Sequence, residues 1–571
     1  MKILGLHALY HDAGACLIVG DRIHAISEER LSRRKFDDAF PYRSIRYVME
    51  IFGLDDVNEI DLVVIDHLEY KTDEATRILR EELGYRGTIH PIRHHDAHAA
   101  SAFFCSPFDD AAILIVDGGG SCGDENEPAR PDHYLFTLEP HMYETHSTYR
   151  GHRNGFRLIR RSVTTQNHRF GLGYFYEAAT CFLGFGSLSG GKLMGLASYG
   201  GGPKKLQGAI FTNFEGELLV EGDRPHGEES YDYYGEKYFS GYPRRRRGEP
   251  IRTEHQEVAH FVQVETERAM VTMARDLYEI TRSPNLCVAG GVGLNSVANK
   301  KILDETPFEG FFFQPACSDT GIPLGCALYG AHVLQGRERF FEMKTAYLAR
   351  PYSDEEIRAA LEGRDDLRVT VPEKLEEEVA LLMTQGKIIG WYQGASELGP
   401  RALGNRSIVC DPRIPRMKDT LNQKVKHREG FRPYAPTVLL EHVMDYFDLS
   451  GASPFMLLVA PVVEEQREMV PAITHVDGSA RVQTVTREEN GRFYRLVEAF
   501  YKLTGVPVIL NTSFNVAGEP IVETPEDAID CFMGTRMDGL VLGDCLIEAL
   551  RKPPEVEQAR WRDRFARWAA D

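Results

Sequence analysis

The pentad His94-His95-Asp96-Ala97-His98 puts three imidazoles and a carboxylate within five residues, just ahead of the small-residue run Ala99-Ala100-Ser101-Ala102. At the start of a helix, His94 and His98 share one face, a spacing that lets two imidazoles reach one metal ion. Carboxylates at chain breaks could complete the set: Asp117, where an apolar run ends, and Asp319 in Ser318-Asp319-Thr320-Gly321. Two histidines and two carboxylates suit a borderline divalent ion such as Fe(II), Mn(II) or Zn(II). The competing reading is a polar helix start with surface histidines. No His-Glu-x-x-His pattern occurs, so a zincin protease is unsupported. His11-Asp12 lies in a glycine-containing turn, and imidazole is well matched to taking a proton from an alcohol near neutral pH. A structural turn histidine is the alternative there.

A second group of candidates lies late in the chain. Arg401 and Arg406 sit among turn residues in Glu397-Leu398-Gly399-Pro400-Arg401-Ala402-Leu403-Gly404-Asn405-Arg406-Ser407. Lys424, Lys426, Arg428 and Arg432 follow, and Asn511-Thr512-Ser513-Phe514-Asn515 adds hydroxyl and amide donors. Arginine forks and hydroxyls are what a site for phosphate oxygens requires; a solvated basic face is the alternative. Between Arg401 and Arg432, nine Lys/Arg stand against three acids, inside a chain whose formal net charge is −19.

The elements that must position these residues read as α/β. Residues 2–8, 15–19 and 22–27 read as strands around a turn at 10–14 and a hairpin at Gly20-Asp21. Residues 111–116 form an apolar run into Asp117-Gly118-Gly119-Gly120. Residues 285–289 form another, ending in Gly290-Gly291 ahead of a helix near Asn295. Glycines between strand and helix let backbone N–H groups approach a phosphate. Three such loops suggest a nucleotide-binding core of two similar halves. Residues 228–254 read as an irregular insertion. A boundary is expected near 345–372, dividing the chain into 1–345 and 346–571. Beyond it the spacing predicts a helix over 375–385, strands over 387–392 and 506–510, a helix over 525–533, a strand over 539–542 and a C-terminal helix over 555–570.

The 571 residues suit two to four domains of ordinary globular composition. The charge of −19 argues against a nucleic-acid partner. No run approaches the roughly 20 apolar residues that span a bilayer, and His11-Asp12 interrupts the apolar start, so a cytoplasmic protein without membrane partner is expected. The ten cysteines include no Cys-x-x-Cys pair, against a zinc ribbon or redox dithiol.

Taken together the motifs resemble the NodU/CmcH family of O-carbamoyltransferases, including the nebramycin 5′ synthase type of antibiotic-tailoring enzyme. Ten blocks occur in the family's order, from Tyr10–Ala15, Glu28–Arg30 and His94–Ser101 to Arg428–Pro436 and Asn511–Glu519. The resemblance implies an N-terminal actin/hexokinase-like domain, similar to the tRNA threonylcarbamoyltransferase, and a C-terminal YrdC-like domain. The second would turn carbamoyl phosphate and ATP, with Mg, into carbamoyl adenylate, with Arg401, Lys426, Arg481 and Ser513 on the anions. Asn511, Asn515 and Met456 would lie close by. In the first, His94, His98, Asp117 and Asp319 would hold Fe(II) or another divalent metal, Gly290, Gly291 and Asn295 would flank the nucleotide, and His11 would activate a hydroxyl of a small-molecule acceptor. Glu29, Arg30, Arg33, Arg34 and Lys35 could line the acceptor pocket or form a solvated charged helix. The rival functions are a threonylcarbamoyl-type tRNA-modifying enzyme, a hydrogenase-maturation carbamoyltransferase and a non-enzymatic ATP-dependent switch. Oligomeric state is left open.

Overall fold

The computed structural model describes residues 1–68, 70–121, 142–165, 171–201 and 238–566. The expected insertion at 228–254 is described only from residue 238, and the end of the expected C-terminal helix lies outside the described residues. The chain forms two compact units.

The first unit comprises Met1–Glu28 and Phe36–Met343. Its first sheet is built from β1 (Lys2–His7), β2 (Gly14–Val19), β3 (Arg22–Ser27), β4 (Leu62–His67) and β5 (Thr88–Arg93) in the order β3-β2-β1-β4-β5. The three early strands form an antiparallel meander, and β4 and β5 continue parallel to β1. The second sheet uses β6 (Asp110–Val116), β7 (Met142–His152), β8 (Gly155–Thr165), β9 (Asn285–Ala289) and β10 (Gly310–Phe313) in the order β10-β9-β6-β7-β8. It too is an antiparallel three-strand meander with two strands added parallel to the first. Both halves therefore repeat one topology, as the recurring strand–glycine-loop pattern predicts. Parallel strands buried on both faces explain why β4, β6 and β9 read as nearly unbroken apolar runs.

Two helices bring the candidate ligands together. The helix His94–Phe103 starts directly after β5. The helix Ile322–Tyr329 packs against it. The approach is close because Gly325 lacks a side chain: a Cβ there would stand 1.9 Å from the Ala97 carbonyl oxygen. Asp319, three residues before the second helix, is thereby held beside the first turn of the other.

The second unit comprises Lys344–Asp571 together with Glu29–Lys35. A contiguous division at 345/346 is the sequence expectation; the short early segment joins the second unit because its arginines bond to that unit's carbonyls and carboxylates. The strands are β11 (Leu367–Thr370), β12 (Ile389–Tyr392), β13 (Arg406–Cys410), β14 (Ala435–Leu439), β15 (Leu458–Pro461), β16 (Ser479–Val485), β17 (Val508–Ser513), β18 (Gly539–Leu542) and β19 (Cys545–Ala549). They form one mixed sheet in the order β11-β19-β18-β12-β13-β17-β14-β16-β15. Helices Leu375–Thr384 and Arg487–Thr504 pack on each other. The second of these starts at a Thr486/Glu489 capping box and stops at Gly505, whose φ of 72° is a left-handed C-terminal signal. Among the described residues no helix is long and apolar enough to cross a membrane.

Candidate functional site

In the first unit, His94, His98, Asp117 and Asp319 converge with one ligand atom from each inside a 4.8 Å span, all four residues buried. Nε2 of His94 lies 3.2 Å from Asp117 Oδ2 and 3.4 Å from Asp319 Oδ1. Nε2 of His98 lies 3.4 and 3.5 Å from the same two oxygens. Donors placed tetrahedrally around an ion at about 2.0–2.1 Å would stand about 3.3–3.4 Å apart, so these separations fit a shared ion. The buried His98 ring supports this, since among the described residues neither nitrogen has a hydrogen-bond partner.

The arrangement is braced from behind. Asp66, in β4, accepts from His94 Nδ1 at 2.8 Å and pairs with His7 Nδ1 at 2.9 Å, so one carboxylate fixes two imidazoles. A carboxylate behind a ligating histidine orients the ring and strengthens it as a ligand. The Gly291 N–H donates to Asp117 Oδ1 at 2.8 Å, leaving Oδ2 to face the histidines. Gly290 permits this contact: its φ is 87°, and a Cβ would sit 2.3 Å from the Val116 carbonyl oxygen. Burial opposes charge on His7, but Asp66 and Asp319 outweigh it and raise its pKa to about 10. The same contest, with Asp319 foremost, raises His94 well above the usual histidine range. Burial disfavours charge on Asp117 and Asp319, yet the surrounding imidazoles hold both carboxyls below the usual range.

His11 is half-buried at the rim of this cluster, with Nε2 3.8 Å from Asp319 Oδ2 and Nδ1 3.5 Å from Asp12 Oδ2. Burial lowers its pKa, but Asp319 and Asp12 together raise it. Gly118 is exposed, and a Cβ at Gly118 or Gly119 would meet open space. Asn295 caps the helix Ser296–Glu305 by accepting from the Ala298 N–H and exchanges amide hydrogen bonds with Gln263.

The loop after β6 is fastened to β7. The Gly120 N–H donates to the Glu144 carbonyl and the Ser121 N–H to the Glu144 carboxylate, which pairs with Arg161 at 2.6 Å. His95 faces this side rather than the ligand cluster, with Nδ1 2.8 Å from Ser147 Oγ. Burial pushes its pKa down to about 3, against a reference of 6.5. Below pH 6.5 the unfolded chain binds a proton that the folded ring refuses, so His95 contributes stability at neutral pH that is lost as pH falls. Urea unfolding should therefore show wild type losing up to about 1.4 kcal/mol per pH unit more than His95→Gln below the histidine range. Equal slopes would contradict the assignment.

The second unit gathers cations. Lys426 is buried, and its Nζ donates to the Ser513 carbonyl, to Ser513 Oγ at 3.3 Å, and to the Asn515 carbonyl and Oδ1 at 3.0 and 2.9 Å. Ser513 Oγ donates to Asn515 Oδ1 at 2.7 Å, closing a small ring of contacts. Burial and repulsion from Arg428 and Arg432 hold the Lys426 pKa well below the usual lysine range. Arg432 is brought to about 9 by burial and by Arg428 and Arg401, although Glu429 pulls the other way. Arg481 is lowered by burial and by Arg401, Arg432 and Arg428. Arg428 stacks on Tyr434 and donates to Asn422 Oδ1. Arg406 differs from the other arginines: it is fully buried, donates to the carbonyls of Gln393, Gly394, Asn405 and Glu523, and stacks on Tyr392 at 3.7 Å. Asn511 donates to Ala402, Thr437 and Gln483. Met456 has a left-handed φ of 58° and packs with Ala346, Leu403 and Ala435.

Sequence reasoning missed His7, Asp66, Glu144, Glu397 and Glu519. The signal for Asp66 was present, since a lone carboxylate inside the apolar strand Leu62–His67 needs buried partners. Glu397 opens the arginine-bearing stretch Glu397–Ser407; its Oε1 accepts the N–H groups of Leu403, Asn405 and Arg406 and shapes the arginine loop. The solvated-helix reading of Arg33 does not hold: the helix Glu28–Ser32 ends before it, and its guanidinium pairs with Glu519 and Asp527.

A chain with a buried His/Asp centre in one duplicated α/β unit, and with arginines concentrated around a lysine and a serine in the other, has the parts of a group-transfer enzyme. The chain belongs to the carbamoyltransferase family: residues 2–83 and 79–328 match the carbamoyltransferase N-terminus, and residues 380–549 the carbamoyltransferase C-terminus. Nodulation protein NolNO of Sinorhizobium fredii is 35% identical over 95% of this chain and 80% of its own. Nodulation protein NolO of Bradyrhizobium diazoefficiens is 36% identical over 81% of this chain and 79% of its own. Among solved structures, T. kodakarensis HypF aligns with TM-score 0.32 and 15% identity, over 59% of this chain and about half (48%) of its own. A ROK family glucokinase from Streptomyces griseus aligns with TM-score 0.28 and 11% identity, over 57% and 98%. The protein is thus an enzyme of the transferase class, as the motif order implies.

Proposed function

We propose that this carbamoyltransferase is ATP-dependent and acts on hydroxyl groups. Carbamoyl phosphate, ATP and one water give carbamoyl adenylate, phosphate and pyrophosphate in the second unit, taken as YrdC-like. The carbamoyl group then passes to a hydroxyl of a small-molecule natural product in the first unit, taken as actin/hexokinase-like, and AMP leaves. The observation that carries this reading is the cation cluster of Arg401, Arg428, Arg432, Arg481 and Lys426, whose repulsion and burial depress three of its members' pKa values. Such a cluster is stabilised by a bound polyanion, and a triphosphate or acyl phosphate has the required charge.

Lys426 acts there chiefly as the fastener of the Ser513–Asn515 turn, because its donors are engaged within the protein, and a bound polyanion would favour its charged form. In the first unit, His94, His98, Asp117 and Asp319 would hold Fe(II) or a related divalent ion. That ion would supply Lewis-acid polarisation of a carbamoyl or phosphoryl oxygen. His11 at the rim would take the acceptor's proton. Its pKa is raised by the Asp319 charge; with that carboxylate committed to a cation, the ring is freed to be the neutral base that the step needs. Gly118 and Gly119, which border open space, offer backbone for a nucleotide phosphate, while Gly290 and Gly291 serve the Asp117 carboxylate.

Carbon-14 carbamoyl phosphate should label a polyhydroxylated acceptor only when ATP is present, with one AMP formed per carbamate ester. Labelling that proceeds equally well without ATP would refute the adenylate route.

A further inference from the structure

The second unit contains seven residues that precede the rest of it by more than three hundred positions, Glu29–Lys35. Two of them reach the loops that carry the anion-site residues. Arg33 donates to Glu519 Oε1 at 2.8 Å, to the Pro520 carbonyl at 3.0 Å and to the Ile521 carbonyl at 2.8 Å, and pairs with Asp527 at 3.3 Å. Glu519 uses its other oxygen to accept the Val516 N–H at 2.9 Å, and its carbonyl accepts from Asn515 Nδ2 at 2.7 Å. Asn515 in turn is what Lys426 Nζ and Ser513 Oγ hold. An unbroken sequence of contacts therefore runs from Arg33 through Glu519 and Asn515 to Lys426 and Ser513. Arg30 does the same for the other loop. It is buried and donates to the Glu397 and Gly399 carbonyls at 3.2 and 2.9 Å, two residues short of Arg401.

We infer that Arg33 and Arg30 are positioning residues of the second unit's anion site, so that this site is incomplete without the early segment Glu29–Lys35. The inference rests on the adenylate-forming reading for its activity readout, but not for its structural one. Arg33 satisfies two carbonyls and a buried carboxylate at once, through nitrogens spread across a planar fork. Without it the Glu519 carboxylate is buried with its partner gone, and the turn that it shapes has to move. Misplacing a catalytic constellation by about 1 Å costs on the order of a hundredfold in rate. Arg33 bonds to the Arg30, Pro520 and Ile521 carbonyls and to the Glu519 and Asp527 carboxylates, so its effect on Lys426 and Ser513 passes through Glu519.

The test uses the full chain with Arg33→Ala and Arg33→Lys. Carbamoyl-phosphate-dependent pyrophosphate release should fall at least tenfold in kcat for Arg33→Ala, measured at a temperature where the variant is still folded, with the first unit's metal content unchanged. Arg33→Lys should recover part of the loss. Amide exchange should quicken in residues 513–521 and not in the first unit. A wild-type rate with wild-type exchange in that turn would overturn the inference. If Arg33→Ala does not fold, Glu519→Gln takes its place with the same two readouts. If the wild type itself releases no pyrophosphate, the adenylate reading has failed, and affinity for inorganic pyrophosphate together with exchange still decides the role of Arg33. Weaker binding and faster exchange support it; no change in either refutes it.

Discussion

Replacing Lys426 by alanine should lower the rate of carbamoyl-phosphate-dependent pyrophosphate release by roughly a hundredfold or more, the scale on which a preorganised electrostatic contact acts. The expectation follows from what the ammonium holds. It is buried and donates to Ser513 and Asn515 through both main chain and side chain. Removing it leaves those acceptors without their donor, relaxes the turn and takes a positive charge from the place where pyrophosphate would develop negative charge. The loss should appear in kcat more than in KM for ATP, because on the proposed reading Arg401, Arg428, Arg432 and Arg481 would still attract the triphosphate. Ser513→Ala, which deletes one hydroxyl and leaves the Lys426–Asn515 contacts, should cost less. A Lys426→Ala enzyme with unchanged kcat would remove the second unit's candidate site from the reaction.

The second large effect belongs to Asp319. Its two oxygens lie within 3.4–3.8 Å of imidazole nitrogens from His94, His98, His7 and His11, more ring partners than any other carboxylate in the cluster has. Asp319→Ala should purify without stoichiometric metal, measured by inductively coupled plasma mass spectrometry, and should fail to carbamoylate any acceptor. It should still release pyrophosphate, because Lys426 and its partners belong to the other unit. His98→Ala should behave in the same way. Asp66→Asn, which touches His94 from behind, should only weaken metal binding, by about ten- to a hundredfold. Full metal occupancy in Asp319→Ala would show that the four residues do not form the metal site.

Local patterns made much of this legible in the sequence. The i, i+4 spacing of His94 and His98 is a property of one helix turn, so no tertiary knowledge was needed to pair them. Asp117 and Asp319 could be named because each stands at a chain break, with glycine one residue on for Asp117 and two for Asp319. Strands β9 and β18 and the helix Pro525–Met533 fall at the expected residues, since apolar runs, glycine and a Thr-x-x-Asp cap mark their ends. What stayed hidden depends on contacts far apart in the chain. His7 and Asp66 are 59 residues apart and meet only because β1 and β4 are neighbours. Arg33 and Glu519 are separated by 486 residues, and a charged stretch such as Glu29–Lys35 reads as solvated until its partners are known. Arg406 shows the converse difficulty: composition cannot distinguish an arginine aimed at a ligand from one that binds main-chain carbonyls.

The central claim, adenylation of a carbamoyl group, needs no acceptor to be tested. Purified, metal-loaded protein should be mixed with carbamoyl phosphate and ATP, separately and together, while pyrophosphate is followed continuously. The account predicts pyrophosphate only when both are present, with carbamoyl adenylate detectable by mass spectrometry. Pyrophosphate that forms from ATP alone, or none at all from a folded protein that binds ATP, would contradict it.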